Sequence, residues 1–318
     1  MSSDNAPLLR PRIVVLGSLN MDLLLRVPRA PDAGETLIGH NFATVPGGKG
    51  GNQAVSCARQ GADVALLGRL GADAYGNSLR AALAADGIDL AGVQTDAEQP
   101  TGLALVMVDD AAQNRIVVIP GANATLRVEP ATLTAALAGA AFFVTQLEAP
   151  LGQVIDAIEA AHAASCPVLL NPSPMAALPD TLWPRLDTLV LNEVEASELT
   201  GRPLRDPAGA AAAALELRRR GVQRVVVTLG SQGAVASDVQ GSRFHPALPV
   251  RAVDTTAAGD TFTGALAVAL AQGQPLDQAV RRGIRAAAWC VARVGAQPSI
   301  PTAQDLESLP EPLAGHPL

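Results

Sequence analysis

The segment Asp254-Thr255-Thr256-Ala257-Ala258-Gly259-Asp260 combines residue types that suit phosphate chemistry. Small residues and a glycine lead straight into a helical pattern. Amides at a helix start have no intrahelical partner and point outward, and the dipole adds positive potential there. Phosphate oxygens are well held in such a place. Asp260 would repel a phosphate, so anion binding alone does not explain it. A carboxylate that takes the proton of an attacking hydroxyl does. The competing explanation is a plain helix N-terminal carboxylate favoured by the dipole.

A second stretch, Pro46-Gly47-Gly48-Lys49-Gly50-Gly51-Asn52-Gln53-Ala54, holds four glycines in five positions, which lets a backbone come close to a ligand. It is not a Walker A loop: Gly50 follows the lysine where Ser or Thr is required, and Ala43 occupies the first glycine position. Nor is it a dinucleotide fingerprint, because the third glycine position is Gln53. Asn20-Met21-Asp22 follows the first strand pattern. Ligands of open parallel sheets bind beyond the carboxyl ends of strands. An amide beside a carboxylate there can grip vicinal hydroxyls. Glu148 and Asn171 stand in corresponding places after later strands. Asx turns and loop carboxylates are the ordinary alternatives at these positions.

The elements that must position these residues can be read from apolar patterning. Short apolar runs at 13–17, 64–68, 141–146, 168–170, 188–191 and 225–229 read as buried strands. Helical patterns at 51–60, 77–85, 154–163, 193–199 and 208–219 lie between them. Such alternation predicts a parallel sheet covered on both faces. Two segments, about 21–45 and 101–120, break the rhythm. In the first, Leu23-Leu24-Leu25, Glu35-Thr36-Leu37-Ile38 and Phe42-Ala43-Thr44-Val45 read as β pieces. In the second, 103–108 and 115–119 flank a polar turn at 109–114. Together they read as one small sheet over a site on the larger one, a lid that keeps water from a reactive phosphoryl group. Residues 260–293 are helical with a break at 273–275, and the Pro- and Gly-rich tail from Pro310 reads as loose. Residues 1–318 are thus expected to form a single α/β domain with the lid inserted in it.

Composition narrows the function classes. Hydrophobic residues make up 48% of the 318, which excludes global disorder. Only 3% are aromatic, so Ala, Val, Leu and Ile must fill the core. The net charge of −7 gives no counterion-release attraction to nucleic acid, and Arg218-Arg219-Arg220 reads as a solvated helix end. Cys57, Cys166 and Cys290 lack metal-ligand spacing and read as buried apolar residues in a reducing compartment. Residues 1–12 show no targeting signal, and no apolar stretch reaches membrane-spanning length. A cytoplasmic protein with no membrane partner is expected.

Taken in order, Asn20-Met21-Asp22, the glycine loop at 47–54, Asn192-Glu193-Val194-Glu195, Thr228-Leu229-Gly230-Ser231-Gln232-Gly233 and the segment at 254–260 resemble the PfkB carbohydrate kinase family, and within it the ribokinase branch, over about residues 14–299. The resemblance implies a ribokinase-like fold: a three-layer, doubly wound, mostly parallel sheet with a small antiparallel β lid. It implies ATP-dependent phosphorylation of D-ribose at O5. Asn20, Asp22, Gly48, Lys49, Asn52 and Glu148 match the sugar-binding positions, with Asp22 on two ring hydroxyls. Ala257, Ala258 and Gly259 match an anion hole beside Asp260, the general base. Asn192 and Glu195 match a motif near the phosphates and Mg²⁺, and Thr228, Gly230, Ser231 and Gly233 a nucleotide-binding stretch. Asp254, Thr256, Cys290, Arg293, Gly295 and Ser299 match loops that hold an activating K⁺, several through backbone carbonyls. The implied partners are ATP, a small sugar and a second copy of the chain. The apolar strands at 23–25 and 103–108 are expected to pack lid to lid in that homodimer.

One position departs from the family. The adenine side, often Asn or His, carries Ile284, which cannot hydrogen-bond to a base. Two other functions stay open. The acceptor could be another furanose or nucleoside, such as deoxyribose, pseudouridine or fructose. A deoxy sugar would leave Asp22 unpaired, at about 1–3 kcal/mol. A sugar sensor without chemistry is the other. The set Asp260, Gly259, Asn192 and Glu195 argues against it, because a pure binder needs no base.

Overall fold

Successive residues of a strand face opposite sides of its sheet, so a strand apolar at every position needs helices on both faces. The first strand meets this requirement: Ile13 and Val15 pack into one core cluster, Val14 and Leu16 into another. The structure, a computed structural model, describes residues 10–111 and 113–318. Most of the N-terminal stretch read for a targeting signal, and one residue of the polar turn at 109–114, lie outside the described residues.

In chain order the strands are β1 (Arg12–Leu16), β2 (Asn20–Arg26), β3 (Asn41–Gly47), β4 (Asp63–Gly71), β5 (Val93–Asp96), β6 (Gly102–Val108), β7 (Asn114–Ile119), β8 (Phe142–Thr145), β9 (Val168–Leu170), β10 (Thr188–Asn192), β11 (Arg224–Thr228), β12 (Gly233–Asp238), β13 (Gly241–Pro246) and β14 (His316–Pro317). The helices are α1 (Lys49–Arg59), α2 (Ala74–Ala85), α3 (Pro130–Leu137), α4 (Leu151–Ala163), α5 (Glu193–Thr200), α6 (Pro207–Arg219), α7 (Ala258–Ala271), α8 (Leu276–Val291) and α9 (Ala303–Glu307).

The large sheet runs β14-β13-β12-β11-β10-β9-β8-β1-β4-β5. From β11 to β5 all pairings are parallel, as the alternation predicts. Helices α1, α2, α7 and α8 bury their apolar residues on the Ile13/Val15 face, and α3, α4, α5 and α6 on the Val14/Leu16 face. Each layer is a doubly wound sheet's cover, so the three-layer expectation holds.

Three features differ from the sequence reading. The edge formed by β12, β13 and β14 is antiparallel and was not foreseen. Its first strand, Gly-Ala-Val-Ala-Ser-Asp, has little of the β-branched and aromatic enrichment that marks a strand. The tail after Pro310 is not loose. Gly315 lies against the ring of the fully buried His245, its N–H donates to Asp277 Oδ1 at 3.2 Å, and β14 pairs with β13. Residues Glu35 to Ile38 form loop rather than strand. Strand β2 already has β3 on one edge and β6 on the other, which leaves no edge for a further partner.

The small sheet runs β3-β2-β6-β7. Its outer pairs β2/β3 and β6/β7 are antiparallel hairpin partners, and the central pair β2/β6 is parallel. The two hairpins come from separate stretches of chain with α1, β4, α2 and β5 between them, and such a crossover brings the second stretch back in the same direction.

Candidate active site

The strand order turns back at β1, which has β4 on one side and β8 on the other. Chains leaving β1 and β8 therefore diverge and open a crevice. Ser18, Asn20 and Asp22 leave from β1, Gln146 and Glu148 from β8, Asn171 follows β9, and Asn192 ends β10. Helices α1 and α7 pack together on one face and deliver Asn52, Gln53 and Asp260 to the same crevice. Their contact is tied by Ser56 Oγ donating to the Thr261 carbonyl at 2.8 Å.

Asp260 is the third residue of α7 and 6% exposed. Its Oδ2 accepts from Asn52 Nδ2 at 2.9 Å and its Oδ1 from Gln53 Nε2 at 3.0 Å. Ala257 begins the helix with φ +59°, a left-handed conformation that a non-glycine residue seldom adopts. The first amide bonded back into the helix start is that of Thr261, to the Ala257 carbonyl at 2.8 Å. The N–H groups of Gly259 and Asp260 come before it and point out of the helix end. A side chain at Gly259 would meet nothing within 4 Å, so open space lies above these amides. They form a concave donor set with a carboxylate at its rim.

Asp22 is 6% exposed on β2, facing the same way as Asn20. Burial first, then the charges of Glu148 and Asp260, push its carboxyl up to about 7. Ser18 Oγ donates a short hydrogen bond to Glu148 Oε2, and the Lys49 amide donates to the same oxygen at 3.3 Å. Burial works to lower the Lys49 ammonium, but Asp260, Glu148 and Glu195 outweigh it and hold the group above its ordinary value. Three acidic groups, Asp260, Glu148 and Glu195, thus act on one cation, and Lys49 is the only lysine in the sequence.

The glycine loop has a different local reason from the one expected. Gly48 takes φ +82°, and a Cβ there would lie 2.6 Å from the Asn20 amide nitrogen. A Cβ on Gly47 would lie 2.2 Å from an Asp22 carboxyl oxygen. The loop is glycine-rich here so that it can press against the β1–β2 connection, which makes Asn20, Asp22, Gly48, Lys49, Asn52 and Glu148 one assembly.

Asn192 and Glu195 form a capping box: Asn192 Oδ1 accepts from the Glu195 amide at 2.9 Å, and Glu195 Oε2 from the Asn192 amide at 2.9 Å. Thr228 sits directly across from Asn192 in the sheet and donates to the Leu191 carbonyl at 3.2 Å. Gly230 and Gly233 take positive φ in the turn after β11, with Ser231 exposed between them. A third group joins two loops beside α7. Asp254 Oδ1 accepts from the Thr256 hydroxyl at 2.6 Å and amide at 2.9 Å, and Oδ2 from the Gly295 amide at 2.9 Å. Burial raises the Asp254 carboxyl, but these bonds outweigh it and hold it below the ordinary range. Cys290 Sγ lies 3.0 Å from Ser299 Oγ and donates to the Thr256 carbonyl at 3.5 Å. The Arg293 guanidinium stacks on Trp289, 3.4 Å from the ring centroid, and its amide donates to the Cys290 carbonyl at 3.0 Å. Ile284 lies inside the apolar core on the α7–α8 side.

Several residues here escaped the sequence reading. Asn123 donates to Asn20 Oδ1 at 2.8 Å and accepts from the Leu19 amide at 2.8 Å, fixing the start of β2 from a turn after β7. Ser18, Gln53 and Gln146 also bond within the crevice. Ser18 and Gln146 follow strand ends, the same positional signal that singled out Asn20 and Glu148.

The profile described as pfkB family carbohydrate kinase matches residues 10–303, and the chain belongs to that family. Among curated relatives, the ribokinase of Haemophilus influenzae is 40% identical over 298 residues, covering 93% of this chain and 97% of that protein. The ribokinase of Schizosaccharomyces pombe is 39% identical, covering 93% and 96%. The structure of Arabidopsis thaliana ribokinase complexed with ribose and ATP superposes with a TM-score of 0.88 at 34% identity, covering 94% of this chain and 98% of that one. The motif resemblance and the expected fold are therefore both borne out.

Proposed function

We propose that this protein transfers the γ-phosphoryl group of ATP to O5 of D-ribose, with Asp260 as general base. The observation that carries the reading is the buried Asp260 carboxylate, held on both oxygens by side-chain amides, beside the outward N–H groups of Gly259 and Asp260. The likeness to a ribokinase that binds ribose and ATP supports the substrate pair. In this reading Asp22, Asn20, Asn52, Glu148, Gly48 and Lys49 bind the sugar. Asp260 takes the proton of the primary hydroxyl as it attacks in line. The outward amides of Gly259 and Asp260 hold the charge on the transferring group, where most of the catalysis in such chemistry arises; of the anion hole expected at 257–259, the Ala258 amide instead donates to the Thr255 carbonyl at 3.3 Å.

Mg²⁺ belongs to this reading. Among the described residues no three His, Cys, Asp or Glu side chains cluster as a metal cage. That fits an ion carried mostly by phosphates and water, with Glu195 and Asn192 close by. When bound it neutralises charge on the phosphates. K⁺ would lie between the loops that Asp254 ties together, taking carbonyl oxygens of the group that includes Thr256, Cys290, Arg293, Gly295 and Ser299. A cytoplasmic location is part of the same reading, supported by three unpaired cysteines. Among the described residues no helix is long and apolar enough to cross a membrane. ADP release with Mg²⁺ and K⁺ should show a kcat/KM for ribose well above that for deoxyribose, fructose or pseudouridine. A profile led by one of the others would reassign the acceptor, and no release with any sugar would favour a sensor.

The small sheet serves as a lid in this proposal, and two lids pack together in a dimer. The exposed apolar surface lies elsewhere than expected. The strand residues 23–25 and 103–108 are mostly buried or half-buried, whereas Ile116, Val117, Val118 and Ile119 on the edge strand β7 are each about half exposed, as is Phe42. The run of four on the unpaired β7 edge is the association surface in this reading, with Phe42 on the opposite edge strand β3. Light scattering at micromolar concentration should give twice the chain mass, and Val117→Lys should reduce it to one. A monomeric wild type would rule out the dimer.

A further inference from the structure

We infer that Gln53, clamped by Gln146 and Asn171, is a positioning residue that sets the direction of the Asp260 carboxylate for phosphoryl transfer. This rests on the reading of Asp260 as the base. Gln53 and Gln146 are fully buried. Gln53 Nε2 donates to Asp260 Oδ1 at 3.0 Å and to Asn171 Oδ1 at 3.3 Å. Gln53 Oε1 accepts from Gln146 Nε2 at 2.6 Å. Asn171 is anchored in turn by its Nδ2, which donates to the Val190 carbonyl at 3.0 Å. Turning the Gln53 amide over would set its oxygen against two acceptor oxygens and its nitrogen against the Gln146 donor. Its polarity is therefore fixed by the acceptors Asp260 and Asn171, the latter anchored by a carbonyl in β10, and Gln146 completes the clamp at its oxygen.

The network is not built for stability alone. Gln146 Oε1 is buried with no partner, a cost that a well-packed apolar pair of the same shape would avoid. What the network secures is a neutral donor aimed at one oxygen of Asp260, while Asn52 supplies the donor to the other. Two donors thus hold both oxygens of the carboxylate. They also stop rotation of the carboxylate plane, so a free lone pair keeps one direction. Asn171, singled out in the sequence as a possible ligand residue at a strand exit, belongs to this clamp.

Gln53→Met and Gln53→Glu are both close to isosteric. Both should leave KM for sugar and for ATP within about threefold and lower kcat by roughly 10²-fold, the scale of a misplaced reacting group. Loss of a donor raises a carboxylate's pKa, so the acid limb of the kcat–pH profile should move up by about one pH unit in Gln53→Met and further in Gln53→Glu. Gln146→Met, which reaches Asp260 only through Gln53, should move the limb in the same direction by less. If kcat falls only in step with melting temperature while the acid limb stays in place, Gln53 is structural and the inference is wrong. Asp260→Asn separates the two readings. An inactive Asp260→Asn with unaltered Gln53 variants overturns the positioning role alone, and a fully active one overturns the base and this role together.

Discussion

Asp260→Asn is expected to lower kcat by about 10²–10⁴-fold and to leave the KM for sugar within about tenfold. The change removes a proton acceptor and little else. One donor to residue 260 comes from Gln53, which cannot turn, and the introduced amide can present its oxygen there. The other comes from Asn52, whose Oδ1 is buried with no partner. Turning the Asn52 amide over lets that oxygen accept from the new amide, and one unpartnered end of Asn52 then replaces the other. The variant should therefore melt within a few degrees of the wild type, and steady-state kinetics should report a chemical defect rather than a folding one. Near-normal turnover in a folded variant would remove Asp260 from the mechanism.

The second large effect is at Asp22. Its carboxyl titrates near 7 in the folded chain, against 3.8 for the ordinary group. Below about pH 4 the group is protonated in both folded and unfolded states, and nothing is lost. As the pH rises from about 4 to 7 the unfolded chain releases its proton first, so the fold weakens across that window. Above 7 the penalty is complete, at about 4 kcal/mol in order of magnitude. Asp22→Asn removes it. The melting temperature of the variant relative to wild type should rise between pH 5 and pH 8, and a constant difference would contradict the burial account. Sugar hydroxyls that donate to Asp22 relieve the same penalty and favour the charged form. Ribose should therefore bind more tightly at pH 8 than at pH 6 and release protons near pH 7. Asp22→Asn should weaken binding by about 10–100-fold, the value of hydrogen bonds to a charged group, and abolish the proton release. Calorimetry in buffers of different ionisation enthalpy measures both.

Much of this was legible in the sequence, and the gaps have physical causes. Most of the parallel strands announced themselves through apolar runs, as Ile13 to Leu16 illustrates, whereas the parallel edge strand β5, Val-Gln-Thr-Asp, is too polar to show and was missed. Asp260 was visible because small residues before a helix leave little else for a carboxylate to do. The pair β12/β13 was hidden because β12 is built mostly of small residues and β13, Gly-Ser-Arg-Phe-His-Pro, has no run of apolar residues. The loop at Glu35 to Ile38 has β-type composition but meets no free strand edge, which depends on pairing between segments far apart in the chain. Gln53 lay in full view within a recognised motif. Its connection to Gln146, 93 positions away, exists only once β1 and β8 are neighbours. The glycines at 47 and 48 were noticed for closeness to a ligand, whereas their nearest neighbours are Asp22 and Asn20.

Asn20 and Asp22 belong to β2, a strand of the small sheet, whereas Asp260 is carried by a helix of the large one. In the proposed mechanism the small sheet would therefore be one jaw of a vice rather than a cover laid over a finished socket. Any swing of that sheet takes the grip on the sugar along with it and leaves the base and the phosphate-facing amides behind. Under that mechanism, grasping the acceptor and aligning it with the base would be one mechanical stroke, and letting go of the product the same stroke reversed.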